Sequence, residues 1–148
     1  LRSSSAASDV YKRQMVEFDT ELYFIAYTGP SGVGTQGTEV WRSDGSDSGT
    51  VRISGSPLTD SSTALSLTLV GDRLYFVDEE YGNAAGIELF SFTIEGGITL
   101  AVDTWPGSQS SDPRNLIALG EKVFFVGNDG SSGGELRYHW YNPGPIIT

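Results

Sequence analysis

The chain has 148 residues and a formal net charge of −10, from 9 basic and 19 acidic side chains. This negative balance argues against nucleic acid and anionic membrane surfaces as partners, because both are bound through clustered cations. The chain has no cysteine and one histidine, which excludes disulfides, thiolate metal sites and a histidine-rich metal centre within it. No apolar run approaches the roughly 20 residues of a membrane span, so membrane insertion is not expected.

The first residues do not resemble the start of a fold. Ser4–Gln14 reads SSAASDVYKRQ and resembles, over eleven consecutive codons, the translation of an adaptor used to prepare sequencing libraries. This resemblance implies a scar on a gene fragment of environmental origin. We therefore expect residues 1–14 to be a disordered, non-native leader and residues 15–148 to form the folded part.

An internal repeat of about fifty residues runs through the rest of the chain. Three apolar runs rich in aromatic and β-branched residues, typical of buried strands, begin 52 and 49 positions apart. A glutamate follows each run, with spacings of 49 and then 47 residues. The runs are Leu22–Ile25, Leu74–Val77 and Val123–Val126, and the glutamates are Glu39, Glu88 and Glu135. Two markers with one period indicate a repeat architecture.

Strand-like segments follow one another in chain order, separated by turn signals such as Asp44-Gly45 and Gly71-Asp72. In the first unit they are Glu21–Tyr27, Thr38–Ser43, Thr50–Ile53 and Ala64–Val70. In the second unit they are Arg73–Asp78, Ile87–Thr93, Ile98–Val102 and Asn115–Leu119. The third unit contains Lys122–Val126 and Glu135–Trp140.

Four short antiparallel strands per repeat is the plan of a β-propeller blade. We predict an all-β propeller fragment of about two and a half blades without a substantial helix, in units of approximately 20–71, 72–120 and 121–148. Because one blade cannot bury both of its faces, the three apolar runs should lie in separate, stacked sheets. Trp41 and Phe90 should occupy matching positions between sheets. The outermost faces should be exposed and should promote self-association, or pairing with further repeats of the full-length chain.

The motif around the first glutamate resembles the bacterial repeat family named for the sequence ELWxxDGTxxGT. Glu39–Thr50 reads EVWRSDGSDSGT, with Val and Ser replacing Leu and the first Thr. The stretch Val102-Asp103-Thr104-Trp105-Pro106-Gly107-Ser108, followed by Ser111–Leu116, is similar to the linker of that family. The second unit departs from the motif with Phe90 and Glu95-Gly96-Gly97, and the third with Arg137 at the Trp position.

The family resemblance covers nearly everything after residue 20. It implies an exported, multi-repeat bacterial protein of propeller-like architecture with no established enzymatic activity. Extracellular or cell-surface localisation is therefore expected from the resemblance alone.

The Asp44-Gly45 turn has two interpretations. Asp44 and Asp47 could supply oxygen ligands to calcium, but their spacing does not match the calcium-binding loop of EF-hands. A tight hairpin, in which Asp44 hydrogen-bonds its own backbone and Gly45 supplies a positive φ, is favoured. We therefore expect no cofactor, with calcium as the alternative. Asp129-Gly130 is assigned the same turn role.

The repeated glutamates could serve as acid and base in a propeller glycoside hydrolase or lyase. A catalytic site, however, is a single asymmetric constellation, whereas Glu39, Glu88 and Glu135 recur once per unit. Structural hydrogen bonding to an adjacent turn is therefore favoured for these residues.

His139 is the only histidine, and no G-x-S-x-G motif accompanies it. The neighbouring Tyr138, Trp140 and Tyr141 could form a sugar-binding platform, but packing in the core or between blades is favoured. The predicted function is a non-catalytic scaffold or recognition module that binds protein or carbohydrate. The alternatives are a fragment of a propeller hydrolase or lyase and a calcium-stabilised structural array.

Overall fold

The computed structural model describes residues 14–28, 37–54, 64–79 and 86–141. The expected leader, apart from Gln14, and the segment 142–148 lie outside these described residues. Eleven β-strands and no helix occur in the described parts of the chain, which confirms the all-β class. They form three separate antiparallel sheets of four, four and three strands.

The strands follow the chain in order within each sheet, so every neighbouring pair is a hairpin neighbour. Sheet A contains β1 (Met15–Phe18), β2 (Glu21–Thr28), β3 (Gly37–Ser43) and β4 (Val51–Arg52). Sheet B contains β5 (Leu65–Val70), β6 (Arg73–Glu79), β7 (Ile87–Thr93) and β8 (Gly97–Val102). Sheet C contains β9 (Arg114–Leu119), β10 (Lys122–Asn128) and β11 (Gly134–Trp140).

The three sheets share one register between their second and third strands. The third residue of each apolar run pairs with the position that the motif assigns to tryptophan. These pairs are Phe24 with Trp41, Phe76 with Phe90, and Phe125 with Arg137. The sequence period of about fifty residues is therefore a structural period, and the three apolar runs lie in three separate sheets, as predicted.

The sheet boundaries are shifted from the sequence units by one strand. Leu65–Val70 and Arg114–Leu119 are the first strands of sheets B and C, and they do not complete the preceding sheets as the grouping into units implied. Two-residue turns join each of them to the following strand, whereas longer linkers separate them from the strand before. A repeat period does not show at which strand each unit begins. The length of the connections does, because strands joined by a two-residue turn pair with each other. Sheet A is completed by β1, which the sequence analysis did not identify.

Two apolar cores join the sheets. The first lies between sheets A and B and contains Tyr23, Ile25 and Val40 from one side and Phe76 and Phe90 from the other. The second lies between sheets B and C. Its members include Val70, Tyr75, Val77, Leu89, Val123 and Phe125. Successive residues of a strand point to opposite faces, so the middle sheet is covered on both sides and each outer sheet on one.

The sheets approach one another most closely at their first strands. β5 lies beside β9 and, less extensively, beside β1, and it also contacts β2 and β10 of the two neighbouring sheets. The third and fourth strands make no comparable approach between sheets in the described parts of the chain. The stacked sheets thus converge along the β1–β5–β9 side.

Candidate functional site

The repeated acidic position is the first candidate site. Glu39, Glu88 and Glu135 lie two residues before the Trp-equivalent position and pair with Ala26, Asp78 and Gly127 of the neighbouring second strands. Their backbone positions are therefore equivalent. Their surroundings differ, and so do their hydrogen-bond partners.

Glu88 is fully buried in sheet B. The backbone N–H of Ser111 donates to its Oε1 at 2.8 Å, and the Ser111 hydroxyl donates to its Oε2. Burial raises the pKa of Glu88, although the Ser111 hydrogen bonds act in the opposite direction. Ser111 belongs to the linker between sheets B and C, so Glu88 anchors that linker to the sheet.

Glu39 is buried in sheet A and accepts a hydrogen bond from Nη1 of Arg52 at 2.8 Å. Arg52 lies on β4, the strand paired with β3. The ion pair therefore joins the two strands. Among the described contacts of Glu39, the partner is this cation of the next strand.

Glu135 of sheet C is exposed, and its carboxylate lies 3.5 Å from Nη2 of Arg137. The same Nη2 lies 2.7 Å from Asp129, which is the shorter contact. The prediction that Glu135 binds an adjacent turn is wrong, because the described part of sheet C has no fourth strand and no following linker to cover this position.

The Asp44-Gly45 turn is organised by its own hydrogen bonds. Asp44 Oδ1 accepts from the backbone N–H of Ser46 at 2.9 Å and from its hydroxyl at 2.7 Å. These bonds hold the pKa of the Asp44 carboxyl below its ordinary value. Gly45 has a φ of 92°, the left-handed conformation that glycine adopts at no steric cost. Asp47 is exposed, and its carbonyl accepts from the N–H of Thr50 at 3.4 Å.

Oδ1 of Asp44 thus accepts from the backbone and side chain of its own turn, as was favoured from sequence, but the connection from β3 to β4 is seven residues long and is not a tight hairpin. Within the described segments, no group of three or more His, Cys, Asp or Glu side chains is placed to hold a metal ion. The described geometry therefore supplies no argument for calcium at this turn.

Asp129 repeats the side-chain motif of Asp44 at a different hairpin. Its Oδ1 accepts from the N–H of Ser131 at 2.9 Å and from the Ser131 hydroxyl at 2.7 Å. Asp129 lies between the second and third strands of sheet C, whereas Asp44 lies between the third and fourth strands of sheet A. Gly130 has a φ of 84°, and a Cβ there would lie 2.4 Å from the indole of Trp105. Trp105 belongs to the linker before sheet C, so Gly130 permits the linker to pack on this turn.

Trp41 and Phe90 occupy matching register positions, as predicted, but only one of them lies between sheets. Phe90 is part of the core between sheets A and B. Trp41 is half-buried on the other face of sheet A, and its Nε1 has no acceptor among the described residues. The prediction that Trp41 packs between sheets is wrong, because no described sheet covers that face.

The aromatic residues near the end of β11 separate into two groups. Tyr141 is buried in the core between sheets B and C, and the guanidinium of Arg73 lies 5.4 Å from its ring centroid. A hydrogen bond to Asp72 raises the pKa of Tyr141 to about 12. Tyr138 and Trp140 are exposed. The favoured packing role is therefore confirmed for Tyr141 and wrong for Tyr138 and Trp140.

His139 forms a contact that the sequence analysis missed. Its Nδ1 lies 3.0 Å from the hydroxyl of Tyr75, which joins β11 of sheet C to β6 of sheet B. Burial, and secondarily the charge of Arg73, lower the pKa of His139. The alternation in β11 would have placed the apolar Leu136, Tyr138 and Trp140 on the covered face and His139 on the exposed face, which is the reverse of the observed arrangement. The sequence therefore carried no signal for this contact.

A groove of about 700 Å³ lies between sheets A and B near β4 and β8. Its lining includes the aromatic rings of Phe90 and Phe92 and the cations Arg42 and Arg52. Both cations are paired within sheet A, Arg42 with Glu21 at 3.3 Å and Arg52 with Glu39. The groove therefore offers apolar surface beside two arginines that are already paired, together with the acidic residues Asp78 and Glu79.

No family model matches the chain, and comparison with curated proteins and with solved structures found no match. The described residues contain no helix long and apolar enough to cross a membrane.

Proposed function

We propose that the chain is a section of a non-catalytic repeat scaffold of propeller-like build, from an exported or cell-surface bacterial protein, that presents a recognition surface to protein or carbohydrate. The observation that carries this proposal is the common register of the three sheets, which stack through the same two faces. The bacterial and exported origin rests only on the resemblance to the ELWxxDGT repeats.

Convergence at the first strands supports the propeller-like build. β5 lies between β1 and β9, while the later strands make no comparable approach. Sheets arranged around an axis approach at their innermost strands and separate toward the outer ones. Sheets stacked as parallel layers would keep one spacing from the first strand to the last.

The structural contacts of two of the three repeated glutamates support a non-catalytic function. Glu39 is committed to Arg52, and Glu88 to Ser111. A general acid or base must reach a reacting atom directly or through one water. Glu88 has the raised pKa of a general acid, but it has no exposed surface with which to meet a substrate.

Spin-label distances test the propeller-like build, and the cysteine-free sequence allows labels to be placed freely. One doubly labelled variant carries Glu17→Cys and Ala118→Cys, equivalent positions on the first strands β1 and β9. The other carries Arg42→Cys and Tyr138→Cys, equivalent positions on the third strands β3 and β11. The third-strand pair should show the clearly longer mean distance. Equal distances would indicate parallel layers and would contradict the proposal.

Hydrolysis assays test the absence of catalysis. We expect no turnover of a panel of chromogenic glycosides and polysaccharides above the rate in buffer. Turnover that is lost in Glu88→Gln or Glu39→Gln, while both variants keep the circular dichroism spectrum of the parent, would support the glycoside hydrolase alternative instead.

A further inference from the structure

The outer face of sheet C exposes a continuous group of large apolar side chains. The register places Phe124 between Ile117 and Tyr138, and Lys122 between Leu119 and Trp140. Leu136 lies beside Val126 on the same face. We call this surface the C-terminal face and define it by Ile117, Leu119, Phe124, Leu136, Tyr138 and Trp140. Apart from half-buried Phe124, these side chains are 55% to 74% exposed. Such a patch on a folded domain marks an interaction surface.

At three of these positions, Leu119, Phe124 and Leu136, the corresponding residues of the other two sheets are buried. Leu136 is 74% exposed, whereas Leu89 in sheet B and Val40 in sheet A, at the same register position, have no exposed surface. Leu119 corresponds in the same way to Val70, which is buried in the core between sheets B and C. In sheets A and B, the surface that corresponds to the C-terminal face is therefore covered by the next sheet along the chain.

The covering surface is also the same in both interfaces. Sheet B covers sheet A with Leu74 and Phe76, the first and third residues of its apolar run. Sheet C covers sheet B with Val123 and Phe125, the same two positions of its run. A sheet that covers the C-terminal face should therefore present this pattern.

Among the described residues, one further surface has that pattern, and it lies on the outer face of sheet A. We call it the N-terminal face and define it by Met15, Leu22, Phe24 and Trp41, which share one side of the sheet. Met15 and Leu22 are exposed, and Phe24 and Trp41 are half-buried. Leu22 and Phe24 are the first and third residues of the apolar run in sheet A.

Charge also distinguishes the two faces. Lys122 and Arg114 lie on the side of sheet C that forms the C-terminal face. Lys122 lies 4.5 Å from the ring centroid of Tyr138, and Glu121 at the margin accepts from Trp140 Nε1 at 3.3 Å. Glu17 is exposed on the N-terminal face, beside Leu22. Arg52 lies opposite Trp41 on the same side of sheet A, but its charge is already paired with Glu39. Two C-terminal faces brought together would oppose like charges, whereas an N-terminal face brings a carboxylate to them.

We propose that the C-terminal face of one chain binds the N-terminal face of a second copy, head to tail, through the sheet packing already used twice within the chain. The proposal rests on the repeat stacking proposed above. An interface of this type is heterologous, so each copy retains one free face and assembly continues until a ring closes or a filament grows.

Two blocking variants test the proposal by sedimentation velocity. Leu136→Lys blocks the C-terminal face, and Leu22→Lys blocks the N-terminal face. Each places an unpaired charge in the proposed interface and should weaken association by about a hundredfold or more. Ile94→Lys is the matched control, because Ile94 is an exposed apolar residue of the β7–β8 turn outside both faces.

The unmodified chain and the control should form oligomers that grow with concentration. Either blocked variant alone should remain monomeric. An equimolar mixture of the two should form a heterodimer and nothing larger, because one intact C-terminal face then meets one intact N-terminal face.

Three results would overturn the proposal. A Leu22→Lys variant that still dimerises alone would show that C-terminal faces bind each other. A mixture that stays monomeric would exclude head-to-tail binding, as would an unmodified chain that stays monomeric at the highest concentration. The spin-label distances are measured within a single chain, so they distinguish failure of this docking from failure of the repeat architecture itself.

Discussion

Sheets B and C have the same pattern in their second and third strands but different surroundings. Sheet B is covered on both sides, and its Leu89 and Glu88 are buried. In sheet C the equivalent Leu136 and Glu135 are exposed, because no further sheet or linker covers them among the described residues. The repeat pattern thus specifies strands and register, whereas burial depends on the next repeat.

The largest expected effect is the difference in stability loss between alanine variants of Phe90 and of its register equivalent in sheet A, Trp41. Phe90→Ala should destabilise the chain by about 3–5 kcal/mol, because it removes a ring from the core between sheets A and B. Trp41→Ala should cost only about 1–2 kcal/mol, because Trp41 is half-buried. Urea denaturation followed by far-UV circular dichroism measures both. Equal losses would show that Trp41 is covered as fully as Phe90.

The repeated glutamates give the next largest difference. Glu88→Ala should cost about 1–3 kcal/mol, because the buried N–H of Ser111 loses its acceptor. Glu135→Ala should change the free energy of unfolding by less than about 0.5 kcal/mol, because its side chain is exposed. Glu88→Gln keeps an acceptor for Ser111 and is the matched control, so it should recover most of the loss. A loss at Glu135 equal to that at Glu88 would contradict the comparison.

A smaller effect concerns pH at the joint between sheets B and C. The folded-state pKa of His139 lies below its ordinary value of 6.5, so the unfolded chain binds the proton more readily. The stability that the fold gains by keeping His139 neutral is fully present above pH 6.5. It is lost as the pH falls through the folded-state pKa of His139. Thermal midpoints from neutral to mildly acidic pH should fall more in the parent than in His139→Gln. Identical pH profiles would exclude this role for His139.

The smallest expected effect is that of calcium. Oδ1 of Asp44 already accepts two hydrogen bonds from Ser46, and no group of ligands surrounds it in the described part of the chain, so calcium at physiological ionic strength should leave the thermal midpoint nearly unchanged. Differential scanning fluorimetry with added calcium measures this. Saturable stabilisation that Asp44→Ala abolishes would replace the hairpin interpretation with a metal site.

The strands and their separation into sheets could be predicted because they depend on local pattern. The apolar runs at Leu22, Leu74 and Val123 each became a second strand, and Trp41 and Phe90 took equivalent positions. The assignment of first strands failed at Leu65–Val70, because connection length rather than period decides which strands pair. The short β1 carries too few residues to show a period.

The partners of the candidate site residues could not be predicted in the same way. Glu39 binds Arg52 of the adjacent strand and Glu88 binds Ser111 of a distant linker, and the motif position that the two glutamates share identifies neither partner. The contact between Tyr75 and His139 joins residues 64 positions apart in different sheets. Such contacts depend on how sheets stack, which the pattern of one strand does not contain.

A matched pair of leucines tests the claim that one face pattern is buried in sheet B and uncovered in sheet C. Leu89→Ala and Leu136→Ala make the same change at the same register position, and both should be measured by urea denaturation at concentrations where the chain is monomeric. We predict a loss of about 2–5 kcal/mol for Leu89→Ala and less than about 0.5 kcal/mol for Leu136→Ala. Equal losses in the two variants would contradict the claim.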